Sequence, residues 1–266
     1  MKQKPWGDRP KRPARESRHN DHSSVTFGIA PVLEALRAAT RKVDKVLIAD
    51  GSRGPRLDEI IDLCRERSVP FTRVGRDVLG RSVSPGANTQ GVIAYIAAAT
   101  YVSTDDILVD PGTEPLLLVL DGVEDPRNLG AIIRVAECAA IDGVVIPERR
   151  AVGLTDTVAK SSAGALEHVK VAKAANLNRF IEELKLRNIW VVGTSVDAAT
   201  DYDAWDWTRP SALVLGGEGA GLHRLVAENC DVLVKIPMYG RIDSLNVSVA
   251  AGVILFEARR QRAKAD

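Results

Sequence analysis

The second half of the chain alternates short apolar runs with segments of helical periodicity, and this alternation constrains the fold more than any other feature. Five runs resemble buried strands, namely LLLVLDGV, GVVIP, IWVVGTS, ALVLGG and DVLVKIP. The helical segments are GAIIRVAECAA, NRFIEELKLRN and a closing helix around NVSVAAGVILFEARRQR. Continuous apolar runs are typical of central parallel strands, which need crossover connections. The pattern therefore predicts a mostly parallel α/β sheet covered by helices on both faces.

The first half forms a shorter alternating pattern. Helical spacing in GIAPVLEALRAA, RLDEIIDLCRERS and RDVLGRS is interleaved with strand-like KVLIAD, PFTRVG and GVIAYIAA. We predict a small α/β domain over residues 25–98 and a larger domain over 113–266. The linker, residues 99–112, mixes polar, Gly and Pro residues with one short apolar piece. A chain of 266 residues that is 45% hydrophobic is long enough for two cores.

Residues 1–24 are rich in Lys, Arg and Pro and poor in apolar residues. Because such a segment buries too little surface to order itself, we predict a disordered basic arm. The arm could contact RNA phosphates, or it could equally be a solubilising tail. The formal net charge of the whole chain is only +1.

Composition also bears on the compartment. No apolar run approaches the ~20 residues that span a bilayer, and the N-terminus lacks the apolar core of a signal peptide. Cys64, Cys138 and Cys230 are scattered, without paired spacing. We expect buried free thiols, no metal site, no membrane association and a cytoplasmic location.

Ligands of parallel sheets bind beyond the carboxyl ends of the strands, and three loops that follow predicted strands carry unusual polar residues. In DGVEDPRNLGAIIR, Asp125 and Pro126 end the strand, Asn128 can cap or turn, Gly130 permits close approach, and Arg134 lies in the following helix. Asn128 and Arg134 are six positions apart and are not stacked helical neighbours, so a loop that folds back is needed to bring them together. Taken alone, this loop is better explained as an ordinary helix start with a solvated arginine.

The second loop, LGGEGAGL, places Glu218 among Gly216, Gly217, Gly219 and Gly221. It lacks the Lys and Ser/Thr of a P-loop, and its glycines do not form a dinucleotide fingerprint in register with a ribose-binding acid. The charge of Glu218 would also repel a pyrophosphate. The loop could still let the backbone bind an adenosine without phosphate, or it could be a tight turn with an exposed glutamate.

The third loop, IPMYGRIDSLNVSVAAG, leads through Ser244, Asn246 and Ser248 into a helix of small apolar residues. Capping explains one of these three polar residues well, but hydroxyl and amide groups lower helix propensity. The small residues over 250–252 indicate that a ligand or another backbone packs closely against the helix. Ordinary core packing is the alternative.

These three segments, in this order, resemble the motifs of the SpoU (TrmH-like) family of RNA ribose 2′-O-methyltransferases, most closely its RlmB-like members that modify 23S rRNA. AKSSAGALEHV, residues 159–169, is also similar to a family segment. The resemblance implies a SPOUT-type parallel sheet with a C-terminal trefoil knot, preceded by a ribosomal-protein-like α/β RNA-binding domain. Spacing alone could not indicate a knot, because knots are nearly absent from proteins. The match is looser in the front half, where Ala30 and Thr89 stand at positions that often carry histidine in relatives.

The activity that the resemblance implies is S-adenosylmethionine-dependent 2′-O-methylation of a ribose in RNA. The substrate that it favours is a guanosine of 23S rRNA, and the enzyme is expected to be a homodimer. The implied catalytic residues are Asn128, Arg134, Glu218, Ser244 and Asn246. The implied cofactor-binding residues are Thr194, Gly216, Ile236, Met238 and Leu245. A cofactor without phosphate would explain the carboxylate in the glycine loop.

Arg134 is the family's proposed base, but arginine stays protonated in proteins. We therefore expect Arg134 to hold the RNA phosphate and the hydroxyl, and the proton acceptor stays open. Two other classes of function remain as alternatives. A non-catalytic RNA-binding protein would not need the intact polar set, and a nucleotide-dependent oxidoreductase lacks its fingerprint here.

Overall fold

The N-terminal part of the chain forms a four-stranded sheet, in a computed structural model that describes residues 23–83, 86–109, 114–219 and 221–265. Its strands are β1 (Ser23–Phe27), β2 (Val43–Ala49), β3 (Phe71–Val74) and β4 (Val92–Ala97), and its helices are α1 (Ile29–Ala38), α2 (Pro55–Glu66) and α3 (Arg76–Arg81). The strand order is β1-β4-β2-β3, with β4 antiparallel to both of its neighbours and β2 parallel to β3. The predicted helices and strands of this half are confirmed.

Strand β1 corrects the predicted arm. SSVTF is too short and too polar for a strand signal, but it pairs along its length with β4, from Ser23 opposite Ala97 to Phe27 opposite Ile93. The predicted boundary of the arm at residue 24 is therefore wrong, since Ser23 and Ser24 belong to the sheet. The rest of the arm, residues 1–22, lies outside the described residues.

The C-terminal part forms a seven-stranded sheet in the order β7-β6-β5-β10-β8-β11-β9, and every pairing that the structure describes in it is parallel. Its strands are β5 (Leu116–Asp121), β6 (Gly143–Pro147), β7 (Val171–Ala174), β8 (Trp190–Thr194), β9 (Thr200–Asp201), β10 (Ser211–Gly216) and β11 (Val232–Lys235). Its helices are α4 (Thr104–Leu108), α5 (Pro126–Cys138), α6 (Asp156–Ser161), α7 (Leu177–Leu186), α8 (Arg224–Glu228) and α9 (Val247–Ala265), with a short 3-10 helix at Ala165–Glu167. The predicted parallel sheet is confirmed.

The central strand β5 shows why both faces of this sheet are covered. Leu116, Leu118 and Leu120 pack into the cluster formed with α5, α6 and α9. Leu117 and Val119 point the other way, into the cluster formed with α4, α7 and α8. All five side chains are fully buried, and each contributes about 1.5–3 kcal/mol relative to an exposed position.

The predicted linker is partly wrong, because its apolar piece belongs to the larger core. Ser103 caps α4 in a capping box with Asp106, and Ile107 and Leu108 are buried against the seven-stranded sheet. Val102 also forms a parallel bridge to Ala172 in the edge strand β7. One helical turn is too short to show periodicity, so no helix could be predicted here from the apolar pattern. Residues 110–113 lie outside the described residues.

Polar contacts join the two sheets. The side chains of Arg41 and Glu167 form an ion pair and are only 11% and 4% exposed, and Thr40 Oγ1 donates to Glu167 Oε2 at 2.9 Å. Lys160 Nζ lies 4.3 Å from the ring centroid of Phe27. A buried carboxylate is costly unless it is paired, so Glu167 ties the 3-10 helix to the N-terminal unit.

The three cysteines are free, but only two are sheltered. Burial raises the pKa of Cys64 to about 11 and that of the half-buried Cys230 to about 12. Cys138, the last residue of α5, is exposed, so the predicted burial of this thiol is wrong. Within the described ranges, no helix combines the length and apolarity needed to cross a membrane.

Candidate active site

Helix α5 begins earlier than the sequence pattern suggested. Asp125 is its N-cap, with a side chain that accepts a hydrogen bond from Arg127 N at 2.7 Å, and Pro126 occupies the first turn. Both residue types favour a helix start at these positions. Asn128 and Arg134 therefore lie in one helix, about 9 Å apart along its axis and on different faces. They are not stacked neighbours, as their spacing predicted, and no folded loop brings them together.

The glycine loop after β10 packs against its own backbone. A Cβ atom at Gly216 would lie 2.1 Å from the carbonyl carbon of Gly221, and one at Gly217 would lie 2.2 Å from the carbonyl oxygen of Gly122. Gly217 N also donates to Asp121 O at 2.8 Å. Only glycine permits such backbone approaches. The turn consequently presents Glu218 directly beside the end of β5.

Three predicted catalytic residues from three separate motifs meet in one hydrogen-bonded group. Asn128 Nδ2 donates to Glu218 Oε1. Asn246 Nδ2 donates to Asn128 Oδ1 at 3.1 Å and to Glu218 Oε1 at 3.4 Å. Asn128 is buried, whereas Glu218 and Asn246 are exposed. We call these three residues the amide–carboxylate cluster; in it, Oε2 of Glu218 has no hydrogen-bond partner among the described residues.

Asn246 is held from both ends of its amide. Its Oδ1 accepts hydrogen bonds from Ser248 N at 2.9 Å and from Ser248 Oγ at 2.6 Å, which caps α9. Its carbonyl oxygen accepts from Val249 N and Ala250 N. Capping thus accounts for two of the three polar residues in this motif. Ser244 is exposed and donates to Asp243 Oδ1 at 3.3 Å, away from the cluster.

Arg134 faces the N-terminal unit instead of the cluster. With Glu137 and Cys138 it borders a cleft of about 460 Å³ whose opposite wall includes Arg37 and Arg56. Its guanidinium makes no hydrogen bond to the cluster in the described chain. Its catalytic role, like the roles of the other site residues, stays a prediction.

The predicted cofactor residues share the carboxyl edge of the sheet. Thr194 ends β8, Gly216 ends β10 and Ile236 directly follows β11, and these three strands are neighbours. Met238 and Leu245 lie on the loop that leads from β11 to α9, and Leu245 is 42% exposed. The glycine loop carries no Lys or Arg. Backbone groups, apolar side chains and a nearby carboxylate fit a cationic, phosphate-free ligand.

Gly130 confirms the predicted close approach, but its neighbour is the chain itself. A Cβ atom there would lie 1.9 Å from Ser161 Oγ in α6. The segment over residues 159–169 therefore serves to pack α6 and the 3-10 helix against α5.

An Asp–His pair beside the cluster was missed. Asp121 is 5% exposed at the end of β5 and accepts hydrogen bonds from His223 N at 2.8 Å and from His223 Nδ1 at 2.9 Å. The signal was a carboxylate that ends an otherwise apolar strand, where charge is rare. Its partner lies 102 positions away and could not be read from spacing.

Residues 115–256 match the profile of the SpoU rRNA Methylase family, and residues 25–102 match the profile for RNA 2′-O ribose methyltransferase substrate binding. The chain belongs to the SpoU methylase family. The predicted family and its RNA 2′-O-ribose methyltransferase class are therefore confirmed, and the oxidoreductase alternative is wrong. As a SpoU methylase, the enzyme carries its amide–carboxylate cluster inside the methylase region and its four-stranded sheet inside the substrate-binding region.

Known methyltransferases are similar to this SpoU methylase over most of its length. YacO of Bacillus subtilis (strain 168), named for the TrmH family of tRNA/rRNA methyltransferases, is 44% identical over 89% of this chain and 95% of its own. A crystal structure of an RNA 2′-O ribose methyltransferase has a TM-score of 0.78 at 28% identity, covering 91% and 90% of the two chains. An AdoMet-bound rRNA methyltransferase from Sinorhizobium meliloti has a TM-score of 0.75 at 28% identity, covering 90% and 87%. These neighbours confirm the α/β fold, and the knot stays a prediction.

Proposed function

We propose that the enzyme transfers a methyl group from S-adenosylmethionine to the ribose 2′-oxygen of a guanosine in 23S rRNA. The observation that carries the proposal is the amide–carboxylate cluster beside the glycine loop. It brings together motif residues separated by as many as 118 positions at the edge where parallel sheets bind ligands. The neighbour from Sinorhizobium meliloti is an AdoMet-bound rRNA methyltransferase, which supports both the donor and the class of RNA.

The cofactor would lie against Thr194, Gly216, Ile236, Met238 and Leu245. When bound, S-adenosylmethionine supplies an activated methyl group on a sulfonium cation. The carboxylate of Glu218 favours a cation over the neutral product that remains after transfer. Preference for a cationic cofactor would explain why the glycine loop carries Glu218, whose negative charge disfavours phosphates.

The side chains of the site would align the ribose hydroxyl with the methyl carbon. Asn128 and Asn246 hold Oε1 of Glu218, so Oε2 is left to face the sulfonium or to accept the hydrogen of the 2′-hydroxyl. Ser244 would contact the same nucleotide from the neighbouring loop. Arg134 would hold an RNA phosphate at the cleft between the two units, where a planar guanidinium can bind two phosphate oxygens.

We assign RNA recognition to residues 25–98 and the reaction to the seven-stranded unit, which includes residues 113–266 together with Val102 and α4. The basic segment over residues 1–22 would add contacts to the RNA backbone. The free thiols suit the reducing cytoplasm, where we place the reaction.

We also propose a homodimer through the catalytic half. Large apolar side chains are exposed around the β11–α9 loop and along α9, namely Tyr239 (96%), Ile242 (74%), Leu245 (42%), Val249 (50%) and Phe256 (51%). An exposed apolar set of this size is typical of a surface that meets another protein. Light scattering should give twice the chain mass, and a monomer at micromolar concentration would refute the dimer.

The activity is tested with labelled S-adenosylmethionine and unmodified transcripts of 23S rRNA, 16S rRNA and tRNA. We expect label in the 23S transcript and, after mapping, a 2′-O-methylguanosine. Glu218→Gln keeps the shape of the side chain but removes its charge, and should lower the rate about tenfold or more. Glu182→Gln, on the exposed face of α7, is the matched control and should have wild-type activity. Methylation of a base, or of no RNA at all, would refute the proposed function.

A further inference from the structure

A group of arginines lies at the carboxyl edge of the seven-stranded sheet, on the side of β5 that is opposite β10 and its glycine loop. It surrounds a cavity of about 440 Å³ bordered by the ends of β5 and β6 and the starts of α7 and α8. Three arginines give the cavity its positive charge, and together with His223 they define what we call the arginine pocket: Arg149, Arg150 and Arg224. The predicted site residues lie outside it.

The carboxylate in this cavity is buried behind His223. Both oxygens of Asp121 are occupied by His223, one by its backbone N–H and the other by Nδ1 of its ring. With Nδ1 held by the carboxylate, Nε2 is the ring nitrogen left to meet a ligand. The imidazole is 53% exposed, whereas the Asp121 side chain is 6% exposed. Asp121 therefore orients His223 and is itself shielded.

Arg149 and Arg150 are available for a ligand. Both are exposed, and neither forms an ion pair with any residue that the structure describes. Arg224, in contrast, pairs with Glu228 at 2.6 Å. Arg150 also has φ 57°, a left-handed conformation in which glycine is favoured over residues with a Cβ atom. The chain thus keeps a guanidinium at a position where glycine would be less strained.

The arginine pocket is adjacent to the amide–carboxylate cluster. Asp121, which holds His223, also accepts a hydrogen bond through its carbonyl oxygen from Gly217 N at 2.8 Å, and Glu218 is the next residue. A Cβ atom at Gly122 would lie 3.4 Å from His223 Cε1. The two groups therefore share the end of β5 as a common wall.

We propose that the arginine pocket binds a backbone phosphate of the RNA, next to the ribose that receives the methyl group. The inference rests on the proposed function and extends it to a positioning site. Two free guanidinium groups suit the oxygens of a phosphodiester, because each presents several N–H donors in a planar arrangement. Such a contact carries no base specificity, but it fixes the position of the strand.

The test compares full-length wild type with Arg149→Ala/Arg150→Ala, Arg150→Gly and Lys264→Ala. Lys264→Ala is the charge control, because Lys264 is an exposed cation in the last turn of α9, about 26 Å along that helix from the sheet edge. The probe is an unmodified 23S rRNA transcript, with affinity measured at several salt concentrations. Methyl transfer by the wild type is measured first, so that failure of the proposed function is seen separately.

We expect the double variant to bind the transcript about tenfold or more weakly. The slope of its affinity against salt concentration, on logarithmic axes, should be smaller by about 0.7–0.9 for each phosphate that is no longer neutralised. The weakening should appear in KM for RNA more than in kcat, with unchanged affinity for S-adenosylmethionine. Arg150→Gly should weaken RNA binding while its thermal midpoint equals or exceeds that of the wild type, which a purely structural role would not produce. Lys264→Ala should match the wild type.

One outcome would overturn the inference while the proposed function stands: a double variant that binds RNA with the affinity and salt dependence of the Lys264→Ala control. If orthophosphate also raises the thermal midpoint of the wild type but not of the double variant, the ligand of the pocket is free phosphate and not RNA.

Discussion

The two sheets use the same alternation of strands and helices but treat their loops differently. At the carboxyl edge of the seven-stranded sheet, loops are tied to one another, as Gly217 is to Asp121 and Asn246 is to Asn128. In the four-stranded unit, Arg53, Arg56 and Arg76 lie exposed on or near the loops. Alignment of reacting atoms requires fixed side chains, whereas attraction of a polyanion requires only accessible charge. Motif side chains that are tied together in one unit, and exposed arginines in the other, are therefore the expected difference between a catalytic and a substrate-binding unit.

The largest effect is expected when the catalytic unit is separated from the substrate-binding unit. A fragment of residues 98–266 keeps Val102 and α4, which pack on the larger sheet, and it lacks the four-stranded sheet. We expect calorimetry to show wild-type affinity for S-adenosylmethionine and methyl-transfer assays to show no RNA methylation at enzyme concentrations that suffice for the full chain. A folded fragment that fails to bind the cofactor, or that methylates RNA normally, would contradict the division.

Arg134 lies where the two units meet, so its removal tests whether they work together. Arg134→Ala should nearly abolish methyl transfer and leave cofactor affinity unchanged, and Arg134→Lys should restore little, since an ammonium lacks the planar fork. Loss of one charge-assisted hydrogen bond accounts for a roughly tenfold to hundredfold decrease. A larger fall in the single-turnover rate at saturating RNA would indicate a role in the chemical step.

The control for Arg134 is Arg187→Ala, an exposed arginine at the C-terminal end of α7, on the opposite face of the sheet. It should methylate RNA at the wild-type rate. Wild-type activity in both Arg134 variants would remove this residue from the site.

The buried Arg41–Glu167 pair tests how much the contact between the two units contributes to stability. Arg41→Met leaves Glu167 buried without its cation, and the free energy of unfolding should fall by about 3–5 kcal/mol. The double variant Arg41→Met/Glu167→Leu should recover most of that decrease, since apolar replacement of both partners is often neutral. Chemical denaturation of the four members of the cycle measures the coupling, and additive effects would show that the pair does not join the units.

The smallest expected effect comes from the more exposed pair of Glu34 and His168, 3.2 Å apart. Partial burial acts to raise the pKa of Glu34, but hydrogen bonds from His168 and Arg37 outweigh it and hold the pKa below 4.5. The ionised carboxylate therefore stabilises the fold above pH 4.5, and this stabilisation disappears as the pH falls through the lowered pKa. Glu34→Gln should lower the free energy of unfolding by less than about 1 kcal/mol above that pH. Well below it, urea titrations of the variant and wild type should coincide.

Much of the fold could be predicted because periodicity reports burial directly. LLLVLD is apolar except at its last residue and is buried on both faces as a central parallel strand. SSVTF and the turn at Ile107 escaped prediction, since five residues are too few to show a period. The start of α5 at Asp125 and Pro126 was available as a capping signal, but the same two residues also suit the end of a strand.

The sequence by itself determined the family, the two α/β units and the motif residues of the site, because ordered motifs and apolar spacing are local properties. Only the tertiary structure decided which of those residues meet. Asn128 and Glu218 are 90 positions apart and share a hydrogen bond, while Arg134, six positions from Asn128, faces a different cleft. Sheet order brings strand ends together regardless of chain distance, and the helical turn of α5 separates near neighbours. The pairing of Asp121 with His223, and with it the arginine pocket, follows from the same physical cause.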